Sequence, residues 1–190
     1  CYEKLHKYDA AISYCKKAVH EDPLLDRGWI LLTNLYYNEK NYQKAAYYIA
    51  KALKIDEDNT IYWRTYAEIQ LKLNFFEEAL TGFENCLALK DDALEIYIGL
   101  TDVLSFLGEF NDAVSVLYSA QKKYKNLAEI EYRLAGLFFV LNKEKYVFNH
   151  LIAGMKVDYD YHVILKEIYP TVLDSQKVQK LLVDYKKANE

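Results

Sequence analysis

The strongest constraint on this chain is a spacing of 34 residues that recurs from one end of it toward the other. The stretch Trp29, Leu32, Thr33, Tyr36, Ala45, Ile49, Ala52 shows it best. One step on, Trp63, Tyr66, Ala67, Ala79, Phe83 and Cys86 stand at the matching places. A second step brings Tyr97, Leu100, Thr101, Leu104, Ala113, Leu117 and Ala120. One step back lie Tyr2, Ala11, Cys15 and Ala18. Within each unit the apolar positions fall three and four apart, the spacing of one helical stripe. A helix pair has been copied along the chain, and each copy packs only on its neighbours.

Two prolines and six glycines in 190 residues suit a chain that is almost all helix. Hydrophobic residues make up 52%, enough for a core and too many for disorder. Trp29, Leu32 and Tyr36 share one face of a helix over about residues 26–37, and Ala45, Ile49 and Ala52 one face of a helix over about 42–53. The small residues Thr33 and Ala45 permit close approach of the two helices, and Trp29 fills the space beside them.

Residues 1–25 read as the second part of a unit that starts before Cys1, so the chain is expected to be a piece of a longer one. Lys7-Tyr8-Asp9 is expected to turn, with Asp9 capping a helix over 10–19. Residues 26–59, 60–93 and 94–127 form full units, with Gly108 in a turn where a left-handed backbone is expected. Residues 128–160 form a degenerate unit, and aligning Tyr132 with the earlier aromatics implies a slip of one residue near Lys125-Asn126. That slip places Phe148 where alanine stood before. Residues 161–190 hold two capping helices, about 162–169 and 178–187, separated by Pro170. Gln70 stands where an aromatic or leucine is expected, so it should be partly exposed or hydrogen bonded.

The series Ala11, Ala45, Ala79, Ala113, with the aromatic, leucine, small-residue and tyrosine places around it, resembles the tetratricopeptide repeat motif over about residues 1–160. The resemblance implies an all-α fold, a right-handed superhelical solenoid of antiparallel helix pairs. It implies a non-catalytic scaffold whose first helices line a groove for a peptide or helix of a partner protein. The groove positions it implies are Arg27, Ile30, Asn34 and Tyr37; Ile61, Arg64, Glu68 and Leu71; Glu95, Ile98, Asp102 and Ser105; and, with the slip, Ile130, Arg133, Leu137 and Val140. The apolar members Ile30, Tyr37, Ile61, Leu71 and Ile98 form a row. One subgroup of that family clamps a chaperone's C-terminal carboxylate with lysine, asparagine and arginine. Asn34 fits it, but Ile30, Glu95 and Gly99 replace its basic residues, and Asp102 adds repulsion. The alternative reading is a structural spacer or self-association module within a larger protein.

Other functions lack support in the sequence. The net charge of −4 argues against nucleic acid as partner. No apolar run is long enough for a membrane helix. Cys1, Cys15 and Cys86 read as small apolar residues rather than as a disulfide or zinc framework, a usage that fits a reducing, cytoplasmic compartment. Glycine-rich phosphate loops and the His-Glu-x-x-His pattern do not occur. Asp158 and His162 have the spacing of two ligands on a helix, but a capping carboxylate beside a surface histidine explains them. No catalytic residue, cofactor or metal is expected. The 19 tyrosines read as packing rings whose hydroxyls reach the surface.

Overall fold

A computed structural model of the chain describes residues 2–189, and side chains from Lys7 onward. Cys1 and the ring of Tyr2 lie outside the described residues. The chain divides into two compact units, residues 1–107 and 108–190. All regular structure among the described residues is helical.

The first unit holds α1 (Tyr2–Glu21), α2 (Asp26–Asn38), α3 (Tyr42–Leu53), α4 (Thr60–Lys72), α5 (Phe76–Ala88) and α6 (Leu94–Leu107). Each packs on the next, and α4 also touches α6, so α2, α4 and α6 form one layer. The second unit holds α7 (Phe110–Lys123), α8 (Ala128–Val140), α9 (Glu144–Val157), a 3-10 turn (Asp160–Ile164), α10 (Leu165–Ile168), α11 (Pro170–Asp174) and α12 (Gln176–Asn189).

The helix starts repeat without error. First helices begin at 26, 60, 94 and 128, and second helices at 42, 76, 110 and 144. The turns between them carry a left-handed residue at Lys40, Asn74, Gly108 and Asn142, again 34 apart. Glycine and asparagine adopt that conformation readily, whereas Lys40 does so against a steric cost. The side chains that set the spacing recur too. The indole N–H of Trp29 donates to the Pro23 carbonyl at 2.9 Å, and that of Trp63 to the Glu57 carbonyl at 2.7 Å. Each ring thereby ties its helix to the incoming loop. Ala45, Ala79 and Ala113 are fully buried, as close helix approach requires. Ile49, Phe83 and Leu117 fill the core one turn further on. The Phe83 ring lies against Gly99, where any Cβ would overlap it, so α5 and α6 approach closely there.

Four expectations need correction. No slip occurs near Lys125-Asn126, because α8 and α9 start in step with the earlier pairs. Tyr132 therefore stands at the place of Ile30, Arg64 and Ile98, not of Trp29. It is aromatic for another reason: its hydroxyl donates to the carbonyls of Asp158 at 3.0 Å and Tyr159 at 3.3 Å. The alanine place is then taken by buried Val147, and Phe148 is only half-buried. No turn interrupts α1 at Lys7-Tyr8-Asp9, since Tyr2–Glu21 has no glycine or proline to break it, and Asp9 is an exposed mid-helix residue. Gln70 is buried rather than partly exposed; its amide bonds Tyr66, while its Oε1 has no hydrogen-bond partner among the described residues. The segment after Tyr159 is more broken than two helices. Pro170 starts α11, where its missing N–H costs nothing, but it prevents α10 from continuing.

Candidate functional site

In the first unit the outward face of α2, α4 and α6 carries the side chains that the repeat positions single out. Ile61 is 57% exposed, and Ile30, Tyr37, Leu71 and Ile98 are half-buried. Arg27, Asn34, Glu68 and Glu95 are exposed, and Arg64, Asp102 and Ser105 are half-buried. The Ser105 hydroxyl donates back to the Thr101 carbonyl at 2.8 Å. The Tyr37 ring meets Tyr42 edge-on at 5.4 Å, which holds it upright at the end of α2.

Charges join these helices. The Tyr62 hydroxyl on α4 donates to Asp26 on α2 at 2.7 Å; burial and that carboxylate push its pKa up to about 12. The Glu68 carboxyl lies close enough to Arg64, Lys72 and Glu95 to feel all three charges, and it also acts on the Tyr37 hydroxyl. Its pKa is raised above the ordinary value, first because surrounding protein desolvates it and then because Glu95 repels it, while Arg64 and Lys72 oppose the rise. Glu68 thus ties α2, α4 and α6 into one face with apolar positions at its sides and an acidic cluster toward α6.

The corresponding face in the second unit is closed. With the repeat in step, its positions on α8 are Glu129, Tyr132, Gly136 and Phe139. Tyr161 donates its hydroxyl to Glu129 at 3.0 Å, Tyr132 reaches the Asp158 and Tyr159 carbonyls, and the Tyr169 ring occupies the space where a Gly136 side chain would stand. The segment 158–169 therefore lies over α8. Arg133, expected on an open groove, is instead 5% exposed and pairs with Glu129 at 3.1 Å. Ile130 and Leu137, placed beside it by the supposed slip, are buried as well. A carboxylate at hydrogen-bonding distance offsets much of the cost of burying the Arg133 guanidinium.

Comparison with known proteins agrees with this geometry. The family model for the anaphase-promoting complex, cyclosome, subunit 3 matches residues 4–86. No curated protein matches the chain. Among solved structures, YrrB, a tetratricopeptide repeat protein with an unusual peptide-binding site, superposes with a TM-score of 0.76 at 16% identity, over 87% of this chain and 85% of its own. MamA gives 0.76 at 13% identity, over 84% of this chain and 93% of its own. The chain has the fold of tetratricopeptide repeat proteins. PilW, a type IV pilus biogenesis factor, is similar over 95% of this chain and 93% of its own, with a TM-score of 0.63 at 17% identity. The tetratricopeptide fold is one consistent with a protein-interaction scaffold.

Chemistry of other kinds finds little footing. Among the described residues no group of three or more histidine, cysteine or acidic side chains is placed to hold a metal ion. His162 sits in the 3-10 turn, its Nδ1 2.6 Å from the Tyr159 carbonyl, and Asp158 accepts from the Tyr161 amide at 3.2 Å. Cys86 is buried, with its thiol pKa pushed up to about 11 chiefly by desolvation, so it stays protonated near neutral pH. No helix among the described residues is long and apolar enough to cross a membrane.

Proposed function

We propose that this chain is a non-catalytic scaffold that binds a peptide or helix of a partner protein along the outward face of α2, α4 and α6. The observation that carries the reading is the row Ile30, Tyr37, Ile61, Leu71 and Ile98, which leaves apolar surface accessible on three neighbouring helices. Around it, Arg27 and Arg64 supply cations, and Glu68, Glu95 and Asp102 supply anions. A bound segment with apolar side chains and basic residues turned toward α6 meets both features, and a free carboxylate there is repelled. YrrB shows that a fold of this kind accommodates a peptide-binding site.

The test is selection of binders from a peptide library, followed by calorimetric titration of the selected peptides. The double variant Tyr37→Ala/Leu71→Ala is expected to weaken binding by about a hundredfold, as loss of two apolar anchors implies. Unchanged affinity in that variant removes the face from consideration.

A further inference from the structure

The second unit contains a cavity of about 490 Å³ at the turn edge, where the α8–α9 turn meets the α11–α12 junction. Its volume lies within the range of small-ligand sites. Its apolar wall is made by Val147 and Val178, which are buried, and Phe139 and Phe148, which are half-buried; Asn142, Ser175 and Gln176 line the rest. Lys143 and Lys177 stand at the rim, with Glu144 accepting from the Lys177 ammonium at 2.5 Å.

The repeat explains what is missing there. The residue that ends the first helix of a pair is Glu39 after α2, then Leu73 after α4, Leu107 in α6 and Leu141 after α8. Leu73 packs into the core of its unit beside Tyr42. The crevice there is lined by polar Glu39, Lys40, Asn41 and Gln43, with Leu73 and Tyr42 supplying its apolar part. After α11 the same position holds Ser175. A seryl side chain leaves the phenylalanine and valine walls without their aliphatic partner. The fold thus retains the receptacle for a leucine and lacks the leucine.

We propose that this cavity is a second binding site, which takes a leucine side chain carried on an acidic segment of a partner protein. The leucine preference follows from Leu73, Leu107 and Leu141, which three repeats put at this place. The acidic preference follows from the rim, where two lysines face one glutamate. The site shares no residue with the face of α2, α4 and α6, so either can fail without the other.

The probe is a labelled hexapeptide, Asp-Asp-Leu-Leu-Asp-Asp, titrated by fluorescence anisotropy. Ser175→Leu supplies the absent side chain from within and is expected to weaken binding about tenfold or more. Lys177→Glu, on an exposed side chain, is expected to weaken it about threefold at low salt and less at high salt. Replacing both leucines of the peptide by serine should abolish binding, and Tyr37→Ala/Leu71→Ala should leave it unchanged. Absence of binding to the wild type up to about 1 mM, or an affinity that Ser175→Leu leaves intact, overturns the proposal. Sedimentation supplies the remaining arm: a chain that self-associates, and loses this in Ser175→Leu, has a second copy rather than a separate partner in the cavity, and that also overturns it.

Discussion

The same four repeat positions meet opposite fates in the two units. In the first unit Asn34, Glu68 and Asp102 occupy the third of these positions, and the side chains around them stay accessible or half-accessible. In the second unit that position is Gly136, and Tyr169 lies over it. A helix face in a repeat array has no intrinsic destiny as a binding surface. It stays accessible where nothing else in the chain covers it. On α8 the cover consists of Tyr161, Tyr169 and the carbonyls that Tyr132 engages, and polar groups of the face are spent on it: Glu129 accepts from both Tyr161 and Arg133. On α4 the carboxylate of Glu68 stays exposed to water.

The largest test of that contrast is to place one side chain at the same position in both units. Gly136→Leu drives a branched side chain into the Tyr169 ring and should expel segment 158–169 from α8, at a cost of about 3 kcal/mol. Asn34→Leu, exposed on α2, should change stability by less than about 0.5 kcal/mol. Urea denaturation measures both. Equal effects would mean that the two faces are alike and that Tyr169 contributes no real cover.

The alanine series and the aromatic places were enough to read the helix pairs, because burial of a helix stripe repeats with the spacing of its residues. The turns were partly legible: Gly108 announces a left-handed residue, but Lys40 does not. The supposed slip arose from taking an aromatic residue as a sign of one particular place. Tyr132 is aromatic because it reaches carbonyls in a later segment, a relation that local spacing does not encode. Arg133 was misplaced for the same reason. A signal was present, though. The series Asn34, Glu68, Asp102 and then Gly136 loses its side chain at an outward position, and such a glycine marks close approach by another part of the chain. The broken 160–174 segment was legible only as Pro170; that it lies on α8 depends on packing, which spacing alone does not give.

A second, smaller test concerns the interior beneath the two faces. Tyr36, Gln70, Leu104 and Phe138 share one place in the repeat, and all are buried. The second unit fills it with Phe138, whereas the first accepts at Gln70 an amide whose Oε1 is left without a partner. The amide also hydrogen bonds Tyr66, so the residue is not idle. Gln70→Leu removes an unsatisfied buried acceptor at the expense of that bond and should stabilise the chain by about 1 kcal/mol. Thermal unfolding with a lowered or unchanged midpoint would show that the Tyr66 contact outweighs the orphaned oxygen, and that the polar residue supports the first unit's fold rather than weakening it.

The smallest effect distinguishes the faces by their protons. The Glu68 carboxyl is raised above its ordinary pKa by desolvation and by Glu95. A raised acid binds its proton more tightly in the folded chain than in the unfolded one, so stability falls as pH rises from the ordinary glutamate value, about 4.3, to the raised folded value. Glu68→Gln removes that term. The stability difference between wild type and Glu68→Gln should therefore shift against the wild type as pH rises through this window, then level off. A cationic residue brought by a partner reverses the penalty, because it favours the ionised carboxylate that the empty face disfavours. Affinity for a basic segment should then rise across the same window in the wild type and stay nearly flat in Glu68→Gln. If instead the stability difference is constant with pH while affinity still rises, the titrating group lies elsewhere, and the acidic end of the face must be assigned to Glu95 or Asp102. If neither quantity moves, Glu68 is as well hydrated as a residue on an ordinary helix surface, and the contrast with the covered face of α8 loses its electrostatic half.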